Sequence, residues 1–290
     1  MNLSESSHRI LEALEEVEGV SKREFNIDGK KILVFDVGVD VKIDEKGLVE
    51  LGVLTAKAAT GGLADIRVID NEIQVSIASK VALATLGCQM AGWGVKINGE
   101  YALASGPARI LARKPKNIFS RIDYNEKAEK TALLLESDTV PAASVCKYIL
   151  DKSNAKEIII AVFSDHSYTG FFNVLARVVE LAAYRLDFLG YDVNRIVSGK
   201  GSVEIPSEVN MCMANDALIY NSIVELDVDG WDESLTEKCV SKGSYVYGRN
   251  FREIYEKANY NFYEIDESIF APAKIKIMDV KRAKLYEAGT

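Results

Sequence analysis

A largely apolar stretch near the middle of the chain carries four polar side chains at regular spacing. Asn173, Arg177, Glu180 and Tyr184 follow one another at intervals of four, three and four residues. This spacing places them on one face of a helix predicted over 170–189. The other positions of its first three turns are almost all apolar, so the remaining faces are expected to be packed. The polar stripe then faces either solvent or an internal cavity.

A carboxylate beside a guanidinium could perform acid–base chemistry. Burial raises the pKa of a carboxyl group and a cation one turn away lowers it, so such a group can be poised near neutrality. Arg177 could also orient an anionic ligand through two parallel hydrogen bonds. The alternative is a solvated strip with a surface ion pair. The mixture of Asn, Arg, Glu and Tyr is more typical of a ligand pocket and favours the functional interpretation.

The scarcity of histidine also favours a carboxylate as general base. Only His8 and His166 are present, and neither belongs to a spacing typical of zinc ligands. The four cysteines show no pairing pattern and are expected to be reduced thiols; they are Cys88, Cys146, Cys212 and Cys239. We therefore expect no metal site.

Three glycine-containing segments could bring backbone N–H groups close to a ligand. They are TGGLAD (60–65), SGPAR (105–109) and SGKGS (198–202). None matches a phosphate-binding loop or a dinucleotide fingerprint. An ordinary turn is the favoured interpretation of each segment taken alone.

Two further groups of residues have a structural and a functional interpretation. Asn215 and Asp216 lie in MANDALIY (213–220), where helix capping by Asp216 is the favoured interpretation. Trp93 and Tyr101 could stack on a flat heterocycle, although isolated aromatic residues more often belong to the core.

Strands alternate with helices along both halves of the chain, which predicts the α/β class. The charged stretch DYNEKAEK (123–130) separates two apolar segments. It predicts a boundary between an N-terminal α/β domain, 1–128, and a C-terminal α/β domain, 129–290.

Composition excludes several kinds of partner. Lys and Arg total 35 against 43 Asp and Glu, and the net charge of -8 argues against nucleic-acid binding. The acidic, amphipathic beginning lacks the apolar core of a signal peptide, and no apolar run approaches the roughly 20 residues that span a bilayer. We expect a cytoplasmic protein that does not bind membranes.

Taken in order, many segments resemble the methenyltetrahydromethanopterin cyclohydrolase family, and the resemblance covers nearly the whole chain. The matching stretches are TGGLAD (60–65), LGCQMAGWGVKI (86–97), SGPAR (105–109), KPK (114–116), ARVVE (176–180), IVSGKG (196–201), AND (214–216), YG (247–248), FREIYEKANYNFYEID (251–266) and FAPAKI (270–275).

The resemblance implies a two-domain α/β fold with a ligand cleft between the domains, and a homo-oligomer, often a trimer. It implies reversible hydration of N5,N10-methenyltetrahydromethanopterin to the N5-formyl form, within the one-carbon metabolism of methanogenesis. No cofactor is implied. In this family Glu180 would be the general acid/base, and Arg177 would position it.

The remaining site residues are expected to bind the substrate. They are Asn173, Tyr184, Gly61, Gly62, Gln89, Met90, Trp93, Ser105, Arg109, Asn215 and Asp216. Met90 stands where the family commonly has Lys. This departure motivates one alternative, a non-catalytic pterin- or nucleotide-binding relative. A hydrolase of another folate-like carrier is a separate alternative.

Overall fold

Two mixed β-sheets of six strands each organise the protein, described for residues 2–289 by a computed structural model. The strands are β1 (Ser21–Ile27), β2 (Lys30–Gly38), β3 (Ala64–Ile69), β4 (Glu72–Ile77), β5 (Trp93–Ile97), β6 (Glu100–Ser105), β7 (Lys130–Glu136), β8 (Glu157–Phe163), β9 (Ile196–Glu204), β10 (Ile223–Val228), β11 (Lys274–Asp279) and β12 (Lys284–Gly289).

Helices connect these strands, which confirms the predicted α/β class. The α-helices are α1 (Leu3–Glu12), α2 (Glu45–Ala59), α3 (Ala108–Ala112), α4 (Lys116–Phe119), α5 (Ala143–Ser153), α6 (Tyr168–Leu175), α7 (Val178–Phe188), α8 (Met211–Asn221) and α9 (Phe251–Lys257). Shorter segments are one π-helix, Leu83–Gln89, and the 3₁₀ turns Ala13–Glu16, Val193–Arg195, Glu233–Lys238, Ser241–Gly243, Phe262–Glu264 and Glu267–Ile269.

The chain divides into two compact units, and each is built from separated segments. The first unit contains the chain up to Ala64 together with Leu86–Asn173, and the second contains Asp65–Thr85 and the chain from Val174 onward. The boundary predicted between residues 128 and 129 therefore lies inside the first unit. The charged stretch at that point is part of the fold, because the Glu126 carboxylate accepts hydrogen bonds from the first two N–H groups of α1.

The sheet of the first unit has the strand order β1-β2-β8-β7-β6-β5. β2, β8 and β7 run parallel, whereas β1, β6 and β5 pair antiparallel with their neighbours. Successive residues of the parallel strands are apolar on both faces, as expected for a sheet covered on both sides. Ile158 and Ile160 pack with Ile149 of α5, and Ile159 packs in a second core with Leu11 of α1 and Leu51 of α2.

The sheet of the second unit has the order β12-β11-β10-β9-β4-β3. Helix α7 packs against it at β9, where two glycines allow a close approach. A Cβ atom at Gly199 would lie 2.9 Å from Val179 Cγ1, and one at Gly201 would lie 2.8 Å from Val178 Cγ1. SGKGS (198–202), predicted as a turn, is thus the interior of a strand whose glycines seat the start of α7.

The single helix predicted over 170–189 is wrong, because the chain forms two helices interrupted at Ala176 and Arg177. The N–H of Arg177 bonds the carbonyl of Val174, only three residues back, at 3.0 Å. This tightened turn ends α6 and starts α7. The predicted stripe is therefore divided, with Asn173 in the first unit and Arg177, Glu180 and Tyr184 in the second.

His8 of α1 is buried in the first unit between two carboxylates. Its side chain is 2% exposed, and its nitrogens lie 3.3 Å from Glu12 Oε1 and 3.3 Å from Glu157 Oε1. Lys130 Nζ is also close, 3.1 Å from Glu157. Burial lowers the pKa of His8 below its ordinary 6.5, since it outweighs the opposing effect of the carboxylates.

Acidification should therefore destabilise the fold through His8. Just below pH 6.5 the unfolded chain binds a proton that the folded chain does not, so the free energy of unfolding falls as the pH falls. Replacing this histidine (His8→Gln) should remove up to about 1.4 kcal/mol per pH unit from that slope, measured by urea unfolding between pH 7 and 5.5. His166→Gln, at a side chain 80% exposed, should keep the wild-type slope. Equal slopes in all three proteins would contradict the argument.

Candidate active site

Arg177 and Glu180 form an ion pair at the start of α7. Arg177 occupies the N-cap position, and Glu180 is the third helical residue. Arg177 Nη1 lies 3.4 Å from Glu180 Oε2, and the two side chains are only 18% and 9% exposed. The predicted alternative of a solvated strip does not describe this pair. A carboxylate near a helix N-terminus is stabilised by the helix dipole and can accept a proton from a neighbouring molecule.

Tyr184 lies one turn further along α7 and is held from two sides. Its hydroxyl donates a hydrogen bond of 2.8 Å to Glu267 Oε2, and its ring meets Phe270 edge-on at 6.4 Å. Burial raises the pKa of the Tyr184 phenol well above its usual value, and the charges of Glu267 and Glu180 raise it further. The phenol is therefore protonated at all physiological pH values.

Asn173 lies in the first unit and fastens α6 to α2. Its side-chain amide donates to Thr55 Oγ1 and to the carbonyl of Thr169, both at 2.9 Å. Both amide hydrogens are thus used inside the unit. The bond to Thr55 could not be found from the sequence, because Thr55 is remote along the chain, whereas Thr169 lies only four residues before Asn173.

Gly61 and Gly62 form the C-terminal cap of α2. The N–H of Gly62 donates to the carbonyl of Lys57, and the N–H of Gly61 donates to the carbonyl of Ala58, both at 3.0 Å. This pair of hydrogen bonds is the Schellman motif. These N–H groups are therefore used to end a helix. The ordinary-turn interpretation describes TGGLAD, and the substrate-binding role of its glycines stays a prediction.

The LGCQMAGW segment (86–93) buries most of its residues. Gln89 is 2% exposed and ends the π-helix, whereas Met90 is half-buried. Trp93 is 2% exposed in the core of the first unit, with its ring 6.3 Å from that of Tyr148. The structure therefore places Trp93 as a core residue, not as a stacking surface. Tyr101, the other aromatic considered, is 67% exposed on β6.

Arg109 is fully buried and binds backbone carbonyls. Its Nη1 and Nη2 groups donate to the carbonyls of Leu86, Gly87 and Cys88 at 3.1–3.2 Å. Its Nε donates to the backbone carbonyl of Lys114 at 2.9 Å. These carbonyls lie near the end of the π-helix, where backbone acceptors lack intrahelical donors. Arg109 therefore stabilises the conformation of the LGCQMAGW segment through these hydrogen bonds.

The SGPAR turn also stabilises the LGCQMAGW segment. Ser105 is 4% exposed at the end of β6, and the N–H of Gly106 donates to the Cys88 carbonyl at 2.7 Å. SGPAR and LGCQMAGW, two separate motifs in the sequence, thus form one structure in the first unit.

Asn215 and Asp216 lie within α8 and make contacts that the sequence did not predict. Asn210 is the N-cap of that helix, so the predicted capping of α8 by Asp216 is wrong. The Asp216 carboxylate accepts from the N–H of Phe251, the first residue of α9, at 2.7 Å. Burial raises the pKa of Asp216, and this hydrogen bond partly opposes the rise. The Asn215 amide donates to the Met211 carbonyl at 2.9 Å.

Over residues 2–289, no cluster of three or more His, Cys, Asp or Glu side chains is arranged to hold a metal ion. Within the same residues, none of the helices has the length and apolar character needed to cross a bilayer.

Fold and site together define an α/β protein with a largely buried carboxylate–guanidinium pair at a helix N-terminus. A family model described as Cyclohydrolase (MCH) matches residues 4–290. The chain belongs to this cyclohydrolase family, which confirms the family predicted from the sequence.

Curated relatives named methenyltetrahydromethanopterin cyclohydrolase match over most of the chain. The protein from Methanocella arvoryzae is 31% identical, with 100% of this chain and 95% of its own length covered. The protein from Methanocaldococcus jannaschii is 34% identical over 93% of this chain and 90% of its own. The protein from Methanospirillum hungatei is 36% identical over 72% and 69%.

The buried contacts of Arg109 give a test of its role. Replacing this arginine (Arg109→Met) leaves several buried carbonyls without a donor, so unfolding free energy should fall by at least about 3 kcal/mol in urea titrations. Arg113 is the matched control, since it is exposed and lies over the same Phe119 ring, at 5.7 Å against 5.9 Å.

Arg113→Met should cost no more than about 1.5 kcal/mol. An Arg109→Met protein of wild-type stability that has lost substrate affinity would instead support the predicted substrate contact.

Proposed function

We propose that the protein is an enzyme that reversibly hydrates N5,N10-methenyltetrahydromethanopterin to N5-formyltetrahydromethanopterin. Membership of the cyclohydrolase family over residues 4–290 supports the reaction class. The observation that carries the mechanism is the Arg177–Glu180 pair, 3.4 Å apart and largely buried at the start of α7.

The substrate chemistry suits a carboxylate. The methenyl carbon bridges N5 and N10 and shares their positive charge, so it is electrophilic without activation by a metal. Water attacks this carbon as Glu180 takes one of its protons, which gives a neutral tetrahedral adduct. Glu180 then returns that proton to N10 as the C–N10 bond breaks. The adduct hydroxyl loses its proton to solvent as the formyl C=O forms, so each hydration releases one proton.

We assign to Arg177 the role of positioning the Glu180 carboxylate. Its guanidinium compensates the carboxylate charge within the first turn of α7, and the packing of Val178 and Val179 on β9 fixes both side chains relative to the sheet. The 3.4 Å separation is longer than an optimal hydrogen bond, so the opposite charges of the two groups contribute most of their attraction.

Removal of the charge at Glu180 should abolish most of the activity. Replacing it (Glu180→Gln) keeps its size but removes the proton acceptor, so the hydration rate should fall by about 10²–10⁴-fold. The measurement is the loss of methenyl absorbance after mixing substrate with protein.

The matched control is Asp187→Asn, further along the same helix, which should stay within about twofold of wild type. A Glu180→Gln protein that hydrates substrate at the wild-type rate would refute the assigned role.

A second candidate function follows from Met90, whose apolar, half-buried side chain supplies no charge in a motif expected to carry Lys. A pterin-binding relative without turnover would bind the methenyl compound in calorimetry and leave its absorbance unchanged. A hydrolase of another folate-like carrier would act faster on methenyltetrahydrofolate, so the ratio of the two rates separates the carriers.

The finer features implied by the resemblance are part of the same proposal. The enzyme would act in the cytoplasm, in the one-carbon metabolism of methanogenesis, as a homo-oligomer and without a cofactor. Light scattering of the purified protein gives its oligomeric state, with a trimer as the expected form.

A further inference from the structure

The Tyr184–Glu267 hydrogen bond has a defined direction. Glu267 lies on the 3₁₀ turn Glu267–Ile269, and its Oε2 is 2.8 Å from the Tyr184 hydroxyl. A carboxylate has only acceptor oxygens, so the phenol must be the donor. The high pKa of Tyr184 keeps this proton on the phenol, because burial and the nearby carboxylates disfavour the phenolate.

The phenol oxygen of Tyr184 consequently keeps its acceptor capacity. Among the described groups, which are residues 2–289 without the Tyr263 side chain, none donates a hydrogen bond to this oxygen. The ring cannot easily turn away, since Phe270 packs against it edge-on at 83°. A hydroxyl that has given its only proton to Glu267 can bind a ligand solely as an acceptor.

Tyr184 lies one helical turn from the proposed catalytic carboxylate, whose charge contributes to the raised pKa of the phenol. Glu180 and Tyr184 are four residues apart on α7, so their Cβ atoms are about 6 Å apart on one face of the helix. A ligand whose reacting carbon sits at Glu180 therefore presents its neighbouring atoms to Tyr184.

We propose that Glu267 is a positioning residue that makes Tyr184 a hydrogen-bond acceptor for an N–H group of the reduced pterin ring. The inference rests on the proposed function. A reduced pterin carries N–H donors on the ring and on its exocyclic amine. An acceptor fixed about one helical turn from the carboxylate selects the orientation that places the methenyl carbon at Glu180. A ligand offering only an acceptor at this position would leave two lone pairs opposed and would bind poorly.

Steady-state kinetics of four variants test the proposal. Tyr184→Phe removes the acceptor, so KM for the methenyl substrate should rise about tenfold while kcat changes less than about threefold. Glu267→Leu frees the hydroxyl to rotate and should also raise KM. Glu267→Gln keeps an acceptor oxygen and should restore KM to within about twofold of wild type. Glu264→Leu, at an exposed glutamate on the neighbouring 3₁₀ turn, is the control and should behave as wild type.

A double-mutant cycle separates positioning from a merely structural effect. If Glu267 acts only through the phenol, Glu267→Leu should change KM no further in the Tyr184→Phe background. Additive effects, or an unchanged KM in both single variants of an active enzyme, would overturn the inference.

Failure of the proposed function has a different signature, namely a wild-type protein without turnover. In that case calorimetry with the methenyl compound tests the inference. Tyr184→Phe and Glu267→Leu should each weaken binding about tenfold. Unchanged binding, or no binding by the wild type, would also overturn the inference.

Discussion

The placement of the candidate active site depends on the contact between α7 and β9. Two glycines in β9 leave room for Val178 and Val179, so the first turn of the helix lies almost against the strand backbone. Because protein interiors are close-packed, even one added methyl group at either glycine would push the helix away. The contact fixes the position of the helix N-terminus. Glu180 follows directly after these two valines, so the same contact fixes its position relative to the sheet.

The interruption at Ala176 and Arg177 gives this helix a start of its own. In a continuous helix, Arg177 and Glu180 would lie in the middle, where backbone N–H groups are already bonded and the field of the helix end is weak. In the two-helix arrangement Glu180 lies in the first turn, where the dipole of the helix favours a negative charge. The same turn separates Asn173 from the other polar residues, and Asn173 instead ties α6 to Thr55 of α2.

The sequence predicted the α/β class, the family and the shared face of Arg177, Glu180 and Tyr184, because these depend on local periodicity and on motif order. It failed where the cause is remote along the chain. The glycines of SGKGS suggest a turn until the helix packed on them is known. Asp216 suggested a cap for its own helix, yet it bonds the N-terminus of a helix that begins at Phe251. Glu267 has no local pattern that would connect it with Tyr184. The domain boundary failed for the same reason, since a charged stretch typical of a linker is bonded to α1 through Glu126.

The strands β3 and β4 belong to the second unit but lie early in the chain, and this order has a cost during synthesis. Glu72 of β4 pairs with Glu204 of β9, so about 130 residues must be made before the partner strand is complete. At ribosomal rates this takes on the order of ten seconds. Meanwhile the apolar residues Ile73, Val75 and Ile77 and an unpaired strand edge remain exposed. The nascent chain therefore passes through a long interval in which this hairpin is a template for aggregation, and chaperone protection matters most before β9 emerges.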